Sequence, residues 1–348
     1  MSSSNPAQQP APQVSQRRHY RRIHVLPSLL TLGNFSSGFI SIVLCLNALF
    51  FATRAQLMEE GRGEPAVAAT SITTAAFADN KSRGRTENQM TTIQGNRDRA
   101  GYLFYWACVI IFLGMVFDML DGKVARHMGA DSAFGTELDS LADVTTFGIA
   151  PAIIVNTFSL AVMPATYAWW TQVIIFGVVY ATCAVLRLAR YNIQSGTADK
   201  NIFSGLPSPA AAGCIVTAAL LAEGDYAFID TFCGWFTNIG GWGENVVQVK
   251  ALILSFFLLI PGLLMVTTIP FSHVANRYFS GKKSFSILVL AVLLAASIWQ
   301  APRLMLFLLF NGYMAFGIIA AVRRKLSSRK PTENLATAQA GEGVHDEK

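Results

Sequence analysis

Long apolar runs separated by short polar breaks occupy most of this chain. A helix that crosses the hydrocarbon core of a bilayer needs about 20 predominantly apolar residues. Runs of that kind centre on 28–52, 101–121, 136–162, 167–188, 208–222, 251–271, 284–300 and 303–322, which predicts about eight membrane spans. The fifth and seventh are short and can also be half-buried. Because the runs are apolar on all sides, the pattern predicts an all-α, polytopic membrane helix bundle with little room for a soluble domain. The polar stretches divide it. Residues 1–22 form a tail rich in Ser, Pro, Gln and then Arg, with too little apolar content to fold. Residues 53–100 are a polar insertion without a sustained period, expected to be mostly disordered on the non-cytoplasmic side. On this division a core covers 23–222, further membrane helices cover 223–322, and a second disordered tail covers 323–348. Within 223–249, aromatic and glycine residues suit an interfacial loop with Trp235 and Trp242 at headgroup level.

Composition agrees with lipid as the solvent: 14% of residues are charged, against about 25% in soluble domains. The formal net charge of +6 is unevenly placed. Arg17, Arg18, Arg21 and Arg22 precede the first run, and Arg323, Arg324, Lys325, Arg329 and Lys330 follow the last. With both ends cytoplasmic, the short loops on that side add Lys123, Arg126, Arg187, Arg190, Lys200, Arg277, Lys282 and Lys283. The opposite short loops hold only Lys250 and Arg303. This is the positive-inside bias, and it demands an even number of spans. The charge therefore reports topology and attraction to anionic headgroups; no nucleic acid partner is expected. The first apolar run is too long for a signal-peptide core and reads as a retained helix. Five cysteines lie singly, mostly within apolar runs, and show no metal or redox spacing.

Chemistry concentrates in residues 117–148, FDMLDGKVARHMGADSAFGTELDSLADVTTFG. Asp118 and Asp121 close the second run, and Asp139 and Asp143 open the third. Ionisable groups at such depth are expensive and point to function. Gly129 is a candidate helix C-cap, and Asp131 or Ser132 a candidate N-cap. The two helices then form an antiparallel hairpin that sets Asp121 opposite Asp139 and Asp118 opposite Asp143. Partners three or four residues apart share a helix face, so four carboxylates converge. Two divalent cations would offset their repulsion, and an all-oxygen ligand set favours Mg²⁺, Mn²⁺ or Ca²⁺ over zinc. Paired metals of this kind clamp phosphoryl groups during displacement. Gly122 and Ala125 remove bulk beside the carboxylates, and Arg126 offers a planar phosphate donor. His127 and His273 show no partner in the sequence and read as headgroup-level and loop residues.

The string Asp118-x2-Asp121-Gly122-x2-Ala125-Arg126-x8-Gly135-x3-Asp139-x3-Asp143 resembles the CDP-alcohol phosphatidyltransferase signature at every fixed position. The resemblance covers about 22–220, and it implies a six-helix core and a homodimer. It implies that Asp118, Asp121 and Asp139 ligate Mg²⁺ or Mn²⁺, while Asp143 completes the second metal site and acts as general base. Gly122, Ala125 and Gly135, with Thr31 and Arg126, would line the nucleotide and diphosphate site. The donor implied is CDP-diacylglycerol, and CMP would leave.

The acceptor rests on further strings. RRIHVLPSLLTLGNFSSGFISI (21–42), RLARYN (187–192) and FSGLPSPAAAG (203–213) resemble the phosphatidylserine synthase branch, although Ser28 stands where that branch usually has Asn after the Pro. L-serine needs a cation for its carboxylate, which Arg187 or Arg190 can supply. Asn192 and Ser208 complete the candidate acceptor set. Both arginines can equally be markers of a cytoplasmic helix end, and Pro207 and Pro209 break the chain before the fifth run. Other acceptors in the same family (glycerol 3-phosphate, inositol phosphate, choline) remain open. A divalent-cation transporter is disfavoured because the carboxylates sit at helix ends on one side. The expected location is the bacterial cytoplasmic membrane, with the site and both termini facing the cytoplasm.

Overall fold

The computed structural model describes residues 25–59, 75–128, 133–163, 169–195, 205–224, 226–240, 246–268, 292 and 295–342. The chain runs through α1 (Val25–Glu59), α2 (Ala75–Met128), α3 (Ala133–Asp143), a π-helical turn (Val144–Ile149) and α4 (Ala150–Val162). It continues through α5 (Trp170–Ser195), α6 (Ser208–Glu223), α7 (Ala227–Gly240), α8 (Val246–Phe257), α9 (Leu259–Val266) and α10 (Pro302–Glu342). No strand occurs among the described residues. Among the described residues, six helices are long and apolar enough to cross a membrane: Leu26–Glu59, Gln89–His127, Phe134–Val162, Trp170–Ile193, Val246–Val266 and Pro302–Arg323. The molecule is an integral membrane protein. The expected fifth span is α6, which bends by 90° into α7. The expected seventh, 284–300, falls largely outside the described residues.

α6 forms the axis of the bundle. Small residues (Ala211, Ala212, Gly213, Ala218 and Ala219) let neighbours close in, and all five are buried. A methyl carbon on Gly213 would fall 2.2 Å from the Phe310 ring, so α10 lies tight against α6. Asn311 on α10 donates to Thr217 Oγ1 at 3.3 Å and to the Cys214 carbonyl at 3.4 Å. Without water to compete, such bonds fix one helix against another.

The boundary drawn at 222 separates segments that share one core. Ala251, Leu252, Leu254, Leu258, Leu264 and Met265 of α8 and α9 pack with α2, α4, α5 and α6 residues in a single cluster. Ser159 on α4 bonds Ser255 on α8 at 3.0 Å within it. At the C-terminal end of α9, Leu206 N–H donates to the Leu264 carbonyl at 3.1 Å, and Arg190 Nη1 to the Val266 carbonyl at 2.9 Å. These bonds satisfy carbonyls that a helix end leaves open. Gly205 makes the approach possible. Its φ is +91°, and an added Cβ would meet the Met265 carbonyl oxygen at 2.5 Å.

Two expected disordered stretches are helical instead. α1 reaches Glu59 and α2 begins at Ala75, so only 60–74 of the 53–100 insertion lies outside the described residues. The extensions hold each other: Arg97 pairs with Glu59 at 2.6 Å, Gln89 donates to the Met58 carbonyl at 3.2 Å, and Arg99 lies over the Phe51 ring. α10 likewise runs on through the tail to Glu342. Extending an existing helix avoids the nucleation cost, so the polar tail continues what the membrane segment began.

Opposite ends of the bundle are marked by contacts. Thr31 near the start of α1 lies against Asp121, whereas Glu59 and the Arg303–Glu223 pair (2.8 Å) lie at the far end. There α7 exposes Phe228, Phe232 and Trp235, while Asp230 reaches back to the buried Lys250 at 2.5 Å. The stretch expected to be an interfacial loop is thus helical over Ala227–Gly240, with Trp235 exposed on it; Trp242 lies outside the described residues.

Candidate active site

α2 and α3 bring the carboxylates together as an antiparallel pair. Asp118, Asp121 and Asp139 each direct one oxygen into a volume where all three lie within 4.8 Å of one another. Asp143 sits one helical turn further along from Asp139. It contacts Asp118 and accepts a hydrogen bond from Asn34 Nδ2 at 3.2 Å. Three aspartates thus form the cluster and the fourth abuts it through Asp118. The caps expected at Gly129, Asp131 and Ser132 lie outside the described residues.

The donor set can be tested against a metal. Asp121 is 5% exposed, and its Oδ2, like Asp139 Oδ1, is buried without a hydrogen-bond partner. A buried carboxylate oxygen that meets no donor carries an uncompensated charge. Hard divalent cations take such oxygens at about 2.0–2.6 Å. The residues fit the group.

The other expected residues fall around this cluster. Thr31 is buried, donates to the Pro27 carbonyl at 3.1 Å and lies against Asp121. Among the described residues, only the Arg126 guanidinium comes near the face that a Cβ on Gly122 would occupy, at 3.8 Å. Arg126 therefore folds back toward Gly122. Ala125 and Gly135 are half-buried on the same two helices. Arg187 on α5 acts electrostatically on both Asp143 and Asp118, and its Nη1 donates to Ser208 Oγ at 2.7 Å. Arg190 and Asn192 turn elsewhere. Arg190 holds the end of α9, and Asn192 Nδ2 donates to Ser140 Oγ at 2.9 Å.

Asp143 also opens the one π-helical turn among the described residues. Ala150 N–H bonds the carbonyl of Thr145, five residues back. π-turns accommodate one extra residue and recur at functional sites. Here the turn is pinned from three sides. Thr146 Oγ1 donates to the Asn34 carbonyl at 2.8 Å, Tyr180 Oη donates to the Phe147 carbonyl at 2.8 Å, and Gly148 packs on Ala184. Gly38 and Gly114 leave room for Thr146: a Cβ on either would come within 2.7 Å of its side chain. Asn34, Thr146 and Tyr180 escape the sequence reading. Their only sequence signal is that polar groups and glycines interrupt apolar runs.

Comparison with known proteins finds a family and several relatives. The profile of the CDP-alcohol phosphatidyltransferase family matches residues 99–243, which contain all four aspartates. A Helicobacter pylori protein named CDP-diacylglycerol–serine O-phosphatidyltransferase is 30% identical over 223 residues, covering 63% of this chain and 81% of its own. The chain belongs to the CDP-alcohol phosphatidyltransferase family. Proteins of the same name from Mycobacterium tuberculosis and Methanocaldococcus jannaschii extend the agreement. The first is 32% identical over 252 residues (69% of this chain, 79% of the relative). The second is 33% identical over 217 residues (62% of this chain, 83% of the relative). A phosphatidyltransferase of this family needs a phosphoryl-binding site that lipid can reach. The aspartate cluster lies near one end of the two apolar helices that carry it.

Proposed function

We propose that this phosphatidyltransferase moves the phosphatidyl group of CDP-diacylglycerol to L-serine, giving phosphatidylserine and CMP, with two divalent cations as cofactors. The observation that carries the reading is the triad of aspartate oxygens within 4.8 Å, with Asp143 set just beside it. The names of the relatives support serine as the acceptor. Asp118, Asp121, Asp139 and Asp143 would hold Mg²⁺ or Mn²⁺. When bound, the cations neutralise and polarise the diphosphate.

The protein's own groups do the rest. Gly122, without a side chain, permits close approach of the diphosphate, and Arg126 lies beside it as a donor. Ala125, Gly135 and Thr31 line the nucleotide side. Asp143 takes the proton of the serine hydroxyl, whose oxygen bonds to the phosphorus carrying the diacylglycerol. The bond from that phosphorus to the oxygen of CMP breaks, CMP leaves, and Asp143 returns its proton to water. Arg187 is placed to receive the serine carboxylate, with Ser208 holding its guanidinium. Arg190 and Asn192 stabilise the surrounding helices through Val266 and Ser140. We further propose that both termini and the site face the cytoplasm of a bacterial inner membrane, and that the working unit is a homodimer.

The test is CMP release by purified protein in detergent with CDP-diacylglycerol and a panel of acceptors. Serine should support release, EDTA should stop it, and added Mn²⁺ or Mg²⁺ should restore it. Release with glycerol 3-phosphate, inositol phosphate or choline but not serine would refute the acceptor. Undiminished release after exhaustive chelation would refute the metals.

A further inference from the structure

Asn34 lies on the first helix, far in sequence from the aspartate motif, and its side chain is 0% exposed. Its amide nitrogen donates to Asp143 Oδ1. Its amide oxygen is buried and meets no donor. That oxygen instead faces Gly114 on α2, where a Cβ would come within 3.2 Å of it. A buried acceptor without a partner lowers stability. An apolar side chain of the same size would pack α1 against α2 at less cost. Fold alone therefore does not account for the amide; its single bond to Asp143 does.

The surroundings hold Asn34 in place for that bond. Thr146 donates to the Asn34 carbonyl, and its side chain is wedged between Gly38 and Gly114. Thr146 belongs to the π-turn that follows Asp143 directly. The turn that carries the carboxylate thus grips the backbone of the residue that bonds it.

We infer that Asn34 is a positioning residue, whose amide fixes the rotation of the Asp143 carboxylate so that the acceptor hydroxyl meets an oxygen of set direction. The inference rests on Asp143 being the base. The terminal torsion of an aspartate is broad and roughly two-fold, so burial alone does not choose its angle. A base must stand within hydrogen-bond reach of the proton it takes, and small misplacements slow reactions steeply. A neutral amide suits the task. It directs the carboxylate without adding a positive charge that would compete with bound cations.

The experiment compares Asn34→Leu, which keeps size, and Asn34→Ala with wild type in detergent. It reads CMP release, KM for CDP-diacylglycerol, Mn²⁺ affinity by electron paramagnetic resonance, and the thermal midpoint. Turnover should fall about 10- to 100-fold, the loss typical when a group supporting a reactive ligand is removed. KM and Mn²⁺ affinity should stay near wild type, and the midpoint of Asn34→Leu should change little, because the orphaned amide oxygen goes as the Asp143 oxygen loses its donor. Wild-type turnover in a folded variant would overturn the inference. So would a joint fall of midpoint, Mn²⁺ affinity and turnover in both variants, which would leave Asn34 a structural role only. A wild-type protein that releases no CMP would instead sink the proposed reaction itself.

Discussion

Asp118 and Asp143 touch, yet their other neighbours differ. Asp118 shares the oxygen cluster with Asp121 and Asp139, whereas Asp143 is turned toward Asn34 and Arg187. Their loss should therefore read out differently. Asp143→Asn should keep appreciable CDP-diacylglycerol binding but lose turnover by ~10²–10⁴-fold, the range for a removed general base. Asp118→Asn should lose metal-dependent binding as well. Equilibrium binding of the CDP-lipid beside CMP release separates the two, and equal binding by both mutants and wild type would refute the metal assignment. These aspartates were visible in the sequence because charges in apolar runs are conspicuous. Asn34 and Thr146 were not. They are neutral, and their meaning depends on partners 109 and 112 residues away.

At the level of elements, apolar length alone placed about eight spans, and six of them coincide with helices long enough to cross, since the bilayer sets that length. It could not place the helical extensions of α1 and α2, which hold each other through polar contacts without an apolar period. It also could not show that α9 ends against the Gly205–Leu206 segment. That junction predicts a contrast between two glycines. Gly205→Ala forces a side chain into the left-handed region and against a carbonyl, at a cost of about 1–3 kcal/mol for the backbone strain. Gly312→Ala, on α10, meets nothing within 4 Å and should be neutral or stabilise the helix by about 0.5–1 kcal/mol. Thermal unfolding in one detergent measures both; equal midpoints would contradict the described junction. The α1–α2 extensions lie at the end of the bundle away from the aspartates. Replacing 60–88 with a short Gly/Ser linker should leave most of the turnover. A folded but inactive product would show that the segment reaches the chemistry.

For the molecule as a whole, the proposed orientation puts position 10 and position 75 on opposite sides of the membrane. All five native cysteines are buried, so a cysteine introduced at either position would report to an impermeant reagent over a quiet background. Labelling of both from the same side would overturn the orientation. The aspartates stand near one end of the two apolar spans that carry them, which the proposed orientation sets among the headgroups of the cytoplasmic face alone. Donor and product can then keep their acyl chains in the leaflet they already occupy while the headgroup is exchanged above them. Under the proposed reaction, new phosphatidylserine enters the membrane asymmetrically. Supplying the opposite leaflet becomes the work of a separate lipid-translocating step.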